Sequence, residues 1–262
     1  MSIKNVSFIG LGVMGYPMAG HLQNNGYNVT VYNRTTIKAE KWVEKYKGSM
    51  AKTPGEASQN SEIVFLCVGR DEDIIEVMEG ENGILSKVTE GSIIVDHTTA
   101  SAEIARNYYQ KLKDKKLSFL DAPVSGGQAG AENGVLSIMI GGDEKDYNNV
   151  KPVLTSYGKA VELIGPSGSG QIAKMINQIC IAGLVQGLSE AMAFGKKSNV
   201  DMERFLALYQ KVLLNRGKWK IDTELCLMVN LIMVLQLIGC VKIYQFVLMK
   251  QTKMVQFFLL QK

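Results

Sequence analysis

The sequence predicts an α/β fold, a doubly wound parallel sheet followed by a smaller all-helical domain. Three observations predict it. Gly10, Gly12 and Gly15 stand at G-x-G-x-x-G spacing between two short runs of strand character, Val6–Ile9 and Asn28–Tyr32. Apolar runs of strand length then alternate with helical patterns as far as residue 163, the grammar of βαβ units. From Gly165 onward the strand signals stop and two helical patterns follow.

The first strand, Val6–Ile9, feeds the glycine turn, and a helical pattern runs from Met14 to about Asn25 before Gly26 stops it. Strand, glycine turn, helix and strand within about 30 residues is what a dinucleotide site needs. Gly10 allows the tight turn, Gly12 has no side chain to block a pyrophosphate, and Gly15 lets the helix pack close to the sheet. The helix N-terminus offers free N–H donors and a partial positive charge. The contacts expected here are Gly10, Leu11, Gly12, Val13, Met14 and Gly15. About 20 positions past the motif, an NAD site carries an acidic residue for the ribose 2′-hydroxyl. This chain has Asn33, Arg34, Thr35 and Thr36 there. Arg34 can pair with a 2′-phosphate in a forked geometry, so NADP is the expected cofactor ahead of NAD.

Residues 37–47 read as an amphipathic helix with Trp42 on the sheet, and residues 54–60 as a short helix. Ser61–Val68 is a continuous apolar run, a fully buried parallel strand whose last residue, Val68, is expected at the cofactor. Asp71–Met78 starts a helix with acidic residues at its positive end. Gly91–Asp96 is a strand, followed by a turn at Thr98–Ser101 and a helix to about Lys113. Leu117–Asp121, Val135–Ile140 and Ala160–Leu163 complete the strands, giving a first domain over residues 1–163 and a helical one over 164–262. Gly165–Gly170 reads as a flexible break. A long helix follows from Gln171 to about Lys197, with Ala182, Gly183, Gly187 and Ala191 small enough for close helix contact. Asp201 caps another helix that starts at Met202.

The composition is globular, with 46% hydrophobic and 21% charged residues. The net charge of +4 is unevenly placed, because residues 211–262 hold eight Lys/Arg against two Asp/Glu. The rest of the chain is slightly acidic, so nothing points to nucleic acid. Cys67, Cys180, Cys226 and Cys240 are widely spaced, and with His21 and His97 alone a zinc-type site is not expected. The thiols read as buried and reduced, which fits a cytoplasmic protein, and the early first strand argues against a signal peptide.

Two further stretches carry chemistry. Asp121–Gly127 follows the C-terminal end of a strand, where doubly wound sheets place ligands. Its small residues expose backbone N–H groups suited to a carboxylate, and Ser125 adds a hydroxyl; an ordinary glycine loop is the competing reading. Lys174 sits one turn into the long helix, with Asn177 and Gln178 near the same face. A lysine on an apolar helix face can serve as general acid or base. A snorkelling lysine at a helix end is the alternative.

Together these residues resemble the β-hydroxyacid dehydrogenases, the 3-hydroxyisobutyrate dehydrogenase family related to 6-phosphogluconate dehydrogenase. Four motifs match in order: FIGLGVMG at Phe8–Gly15, DHTTAS at Asp96–Ser101, DAPVSGG at Asp121–Gly127 and GSGQIAKMIN at Gly168–Asn177. The resemblance covers residues 1–210. It implies a Rossmann-type domain followed by an all-helical one, and a homo-oligomer. It also implies Lys174 as catalytic acid/base, Ser125, Gly126 and Gly127 on the substrate carboxylate, and Thr99 at the cofactor. The amide that orients substrate is Asn177 or Gln178, with Asn177 preferred. The substrate is a small β-hydroxyacid or semialdehyde, and no metal is implied.

Residues 211–262 depart from the family pattern. From Leu225 to Lys262 there is no Asp, Glu, Ala, Pro or Ser. Three readings stay open. The tail is an ordinary hydrophobic helical segment, or Leu225–Val241 is a membrane anchor, or the tail is a translation in the wrong frame. The last can be examined from the protein alone by joining the final base of each codon to the first two of the next. Trp219-Lys220 and Met249-Lys250 are then forced to Glu, and Met228-Val229, Met233-Val234 and Met254-Val255 to Gly. All five land where the family's C-terminal domain accepts them. A shifted tail puts the family's oligomer contacts in doubt and leaves a nucleotide-binding half without its partner domain.

Overall fold

The computed structural model describes the backbone of residues 3–215 and the side chains of residues 3–208. The expected tail readings, with Cys226 and Cys240, lie outside the described residues. The described chain opens with β1 (Asn5–Ile9), α1 (Gly15–Asn24) and β2 (Asn28–Tyr32). The next elements are α2 (Thr36–Tyr46), a two-residue β3 (Ser49–Met50), α3 (Pro54–Ser58), β4 (Ile63–Leu66) and α4 (Asp71–Glu79). After one 3-10 turn at Ile84–Ser86 come β5 (Ile93–Asp96), α5 (Ala102–Lys113), β6 (Ser118–Asp121) and β7 (Val124–Ser125). Then follow α6 (Gly127–Glu132), β8 (Leu136–Gly141), α7 (Glu144–Leu154), β9 (Gly158–Gly165), α8 (Ser169–Lys197) and α9 (Met202–Asn215).

The strands form one sheet in the order β3-β2-β1-β4-β5-β6-β8-β7, with β9 paired to β8. From β3 to β6 every pairing is parallel, the order of a dinucleotide-binding sheet. β8 runs antiparallel to both β6 and β7, and β9 lies parallel to β8. The expected largely parallel sheet therefore holds, with an antiparallel turn at its far edge. Helices cover both faces, so β4 and β5 are buried at every residue, which is why they read as unbroken apolar runs. Phe8, Val31, Trp42 and Phe65 belong to one core cluster, and Ile9, Leu66, Ile74 and Ile94 to a second. Trp42 is fully buried, and its indole N–H donates to the Tyr16 carbonyl at 3.1 Å, tying α2 to α1.

Side chains begin several helices as the residue types demand. The Ser101 hydroxyl accepts from the Ile104 N–H at 3.0 Å to start α5, and the Asp201 carboxylate accepts from the Arg204 N–H at 3.1 Å to start α9. The chain divides into two compact units, residues 1–178 and 179 onward, and α8 begins in the first.

Two expectations are corrected. Gly165–Gly170 is no flexible break: β9 runs into it, and the Asp121 carboxylate holds its Gly168 N–H at 2.7 Å. The thiols of Cys67 and Cys180 are free, but neither residue is buried: Cys67 is partly exposed and Cys180 is exposed. A Cβ on Gly183 or Gly187 would meet nothing within 4 Å among the described residues, and residues 216–262 of the helical domain lie outside them. α7 buries Tyr147, Val150, Val153 and Leu154 at helical spacing, but Pro152 in its last turn and the asparagines before it are poor helix formers, which mask it in the sequence.

Candidate active site

Parallel pairing of β2, β1, β4, β5 and β6 sets their C-terminal ends side by side, and the predicted cofactor residues lie on the turns that leave this edge, while Lys174 and Asn177 lie on α8. The first turn is the glycine loop. Gly10 has a φ of +101°, and a Cβ there would press on the Cys67 carbonyl. A Cβ on Gly15 would collide with the Gly10 carbonyl, so α1 starts as close to β1 as backbone permits. Gly12 differs, because among the described residues a Cβ there would meet nothing within 4 Å. The space beside Gly12 is the room a pyrophosphate needs, and no side chain caps the first turn of α1. These features fit a dinucleotide.

The end of β2 supports that loop. Asn33 accepts from the Leu11 N–H at 2.9 Å and donates to the Thr35 carbonyl at 3.0 Å. Its side chain thus braces the glycine turn. Arg34 points to solvent, 77% exposed, with Asp73 and Glu76 of α4 at 3.8 and 3.7 Å. Val13 and Thr35 are exposed, Leu11 is buried and Met14 is half-buried.

The ends of β4 and β5 are joined. The Thr98 hydroxyl accepts from the Val68 N–H at 3.1 Å, and the Thr98 N–H donates to the Asp96 carboxylate at 2.9 Å. Asp96 is buried, and burial raises its carboxyl to about 7 despite the Thr98 bonds, which pull the other way. Thr99 is exposed between buried neighbours, so its side chain stands out of the loop.

The DAPVSGG stretch supplies both structure and surface. Asp121, fully buried at the end of β6, accepts from the Gly168 N–H at 2.7 Å and from the Gln171 N–H at 2.9 Å. Burial raises its carboxyl above the usual range, and these amides oppose that shift. The carboxylate therefore caps the start of α8, where the positive helix end favours it. Behind Ala122 stands His97, with Nδ1 2.6 Å from the Ala122 carbonyl and Nε2 2.8 Å from the Tyr157 hydroxyl. Burial depresses its imidazole to about 4, so the ring is neutral and structural at ordinary pH. Ser125 is half-buried, and Gly126 and Gly127 follow it with φ of +136° and +61°, exposed at the start of α6.

Lys174 is 8% exposed, and burial lowers its pKa below the ordinary lysine value. That environment departs from a snorkelling lysine, whose ammonium reaches water. One turn on, the Asn177 amide donates to the Ser125 hydroxyl at 3.4 Å and to Gln178 Oε1 at 3.2 Å. Asn177, the preferred residue of the two, is thus the one at Ser125. Sequence reasoning missed Gln171, which is 1% exposed and bonds to the backbone on both sides of Thr99. It lies inside a quoted motif, but a bond across about 70 positions leaves no mark in a single sequence.

Comparison with known proteins finds similarity over most of the chain. Residues 5–165 match the profile of the NAD binding domain of 6-phosphogluconate dehydrogenase. Residues 168–212 match that of the NAD-binding region of NADP-dependent 3-hydroxyisobutyrate dehydrogenase. An uncharacterized oxidoreductase of Shewanella frigidimarina is 54% identical over 209 residues, which cover 80% of this chain and 72% of that one. The 2-hydroxy-3-oxopropionate reductase of Escherichia coli is 37% identical over 199 residues, 76% of this chain and 68% of that one. Among solved structures, Mycobacterium tuberculosis 3-hydroxyisobutyrate dehydrogenase with L-serine superposes with a TM-score of 0.73 at 25% identity. That likeness covers 79% of this chain and 70% of that one.

Proposed function

Because the chain belongs to the β-hydroxyacid dehydrogenase family, and so is an NAD(P)-binding oxidoreductase, we propose that it moves a hydride between NADP(H) and a small β-hydroxyacid or its semialdehyde. The observation that carries this reading is Lys174, a lysine held nearly out of water on the helix that starts at the Asp121 cap. Bound nicotinamide supplies or accepts the hydride. Lys174 gives its proton to the carbonyl oxygen in reduction and takes the hydroxyl proton in oxidation. Its lowered pKa brings that exchange nearer to neutral pH than an ordinary lysine allows.

The remaining residues hold the reactants. The Ser125 hydroxyl and the backbone of Gly126 and Gly127 bind the substrate carboxylate, and Asn177 orients the substrate beside Ser125. Gly10–Gly15 and Asn33 shape the pyrophosphate loop, with Val68 and Thr99 on the neighbouring strand ends. Arg34 and Thr35 favour a 2′-phosphate, hence NADP over NAD. The protein is expected in the cytoplasm, with no nucleic acid or membrane partner.

The test is NADPH oxidation by the purified chain with a panel of small semialdehydes. Turnover should fall at least a hundredfold in Lys174→Ala, on the order of the usual loss of a general acid. Turnover that survives this change would remove Lys174 from the chemistry.

A second reading is favoured by the tail: nucleotide binding without turnover, as a frame-shifted homologue. The family match ends at residue 212, and Leu225–Lys262 lacks five common residue types. Under this reading NADPH binds but no semialdehyde is reduced, and restoring the shifted frame recovers activity. An alternative frame interrupted early by a stop codon in the coding DNA would remove it.

A further inference from the structure

Gln171 joins two parts of the site that the chain keeps far apart. Its side-chain carbonyl accepts from the Ala100 N–H at 3.0 Å, and its side-chain NH2 donates to the Thr98 carbonyl at 2.7 Å. The two peptide groups it grips lie on either side of Thr99. A side-chain amide offers one donor and one acceptor in a plane, so it pairs with an extended segment much as a neighbouring strand would. Only one orientation of the amide satisfies both bonds. The grip holds the buried backbone on both sides and leaves Thr99 facing outward.

The same residue is fixed from below. Its backbone N–H donates to Asp121 at 2.9 Å, beside the Gly168 N–H on the other carboxylate oxygen at 2.7 Å. Lys174 lies three residues further along α8, on the same helix face. Thr98 in turn receives the Val68 N–H on its hydroxyl. A continuous set of hydrogen bonds, buried except for the half-buried one at Val68, therefore runs from the end of β4, through the β5 loop and Gln171, to the end of β6. The helix that presents Lys174 leaves from that set. Gln171 itself is 1% exposed, so these groups have no water to replace a lost partner.

We propose that Gln171 is a positioning residue that locks the Thr99 loop to the helix carrying Lys174, so that proton donor and cofactor loop keep one fixed geometry. The proposal rests on the function assigned above. A shift of about 1 Å between such groups costs on the order of a hundredfold in rate.

Two variants test it. Gln171→Met removes both bonds at similar volume. Its kcat should fall about tenfold or more, with the semialdehyde KM near that of the unaltered chain. A role in folding alone would lower the melting temperature and leave kcat per folded molecule unchanged. Gln171→Glu keeps the acceptor and loses the donor, except where the new carboxyl is protonated. Burial against a carbonyl favours the protonated form. The kcat of Gln171→Glu relative to the unaltered chain should thus rise as pH falls. A kcat within twofold of the unaltered chain in Gln171→Met, or a flat ratio across pH for Gln171→Glu, overturns the proposal. If Gln171→Met does not fold, the pH ratio of Gln171→Glu decides.

A third readout needs no turnover. Competitive labelling by acetic anhydride, read by mass spectrometry across pH, reports the titration of Lys174. Gln171→Met should move that titration up toward an ordinary lysine, because the loosened helix start admits water. No movement overturns the proposal. An unaltered chain with no turnover would count against the assigned function, and the labelling result would still decide the role of Gln171.

Discussion

At the scale of single residues, the site is built on buried groups whose charge the fold disfavours. Asp96 and His97 are adjacent, both nearly inaccessible, and pushed in opposite directions, to about 7 and about 4. Their effects on stability oppose each other. The unfolded Asp96 carboxyl loses its proton near pH 4 and the folded one near 7, so its contribution declines as pH rises through that window. The unfolded imidazole gains a proton near 6.5 and the folded one near 4, so that contribution is lost as pH falls through its window. Asp96→Asn keeps the acceptor for the Thr98 N–H and removes the first effect. The stability of this variant relative to the unaltered chain should climb by about 1.4 kcal/mol per pH unit between about 4 and 7. Urea unfolding at several pH values measures it, and parallel profiles for the two proteins would show that Asp96 does not titrate there.

At the scale of elements, strands were legible wherever burial on both faces made them apolar throughout, as in Ile63–Leu66 and Ile93–Asp96. Helices were legible where 3.6-residue periodicity was clean. β3 and β7 have two residues each, too short for any period to register. α6 is rich in glycine and alanine, so no apolar periodicity marks it as a helix. The motif residues were visible, and so was the turn that carries each. What holds the turns together was not, because Asp121 reaches Gly168 and Gln171 reaches Thr98 across long stretches of chain. The glycine loop offers the sharpest test at this scale. Gly15→Ala places a methyl group against the Gly10 carbonyl and the Phe8 ring, where neither can yield without moving α1 from β1. This variant should lose NADPH binding at least tenfold, by fluorescence titration, at a stability cost of about 1–3 kcal/mol. Unchanged binding would mean that the turn is looser than its geometry indicates.

At the scale of the whole molecule, the described chain is a nucleotide-binding sheet that delivers five strand ends to one edge, with the start of α8 held by Asp121 of β6. The change of grammar at Gly165 marked the end of that sheet correctly. It could not show that the junction is clamped, since the clamp is a carboxylate from β6. Charge is distributed as unevenly as packing. All of the excess positive charge lies in residues 211–262, and the rest of the chain, Arg34 included, is mildly acidic. Arg34 already faces two carboxylates, at 3.7 and 3.8 Å, and is largely in water. A 2′-phosphate arriving there exchanges one set of anions for another under full ionic screening. Under the proposed preference for NADP, discrimination between the two dinucleotides is expected to depend on the solution as well as on the fold. NADPH should bind about tenfold or more tighter than NADH in dilute buffer, in line with charge-assisted bonds of about 1.5–3 kcal/mol, and Arg34→Ala should erase the difference. Added potassium chloride should shrink it steadily, leaving the affinity for NADH nearly still. Such a chain would choose its reductant according to the ionic strength around it.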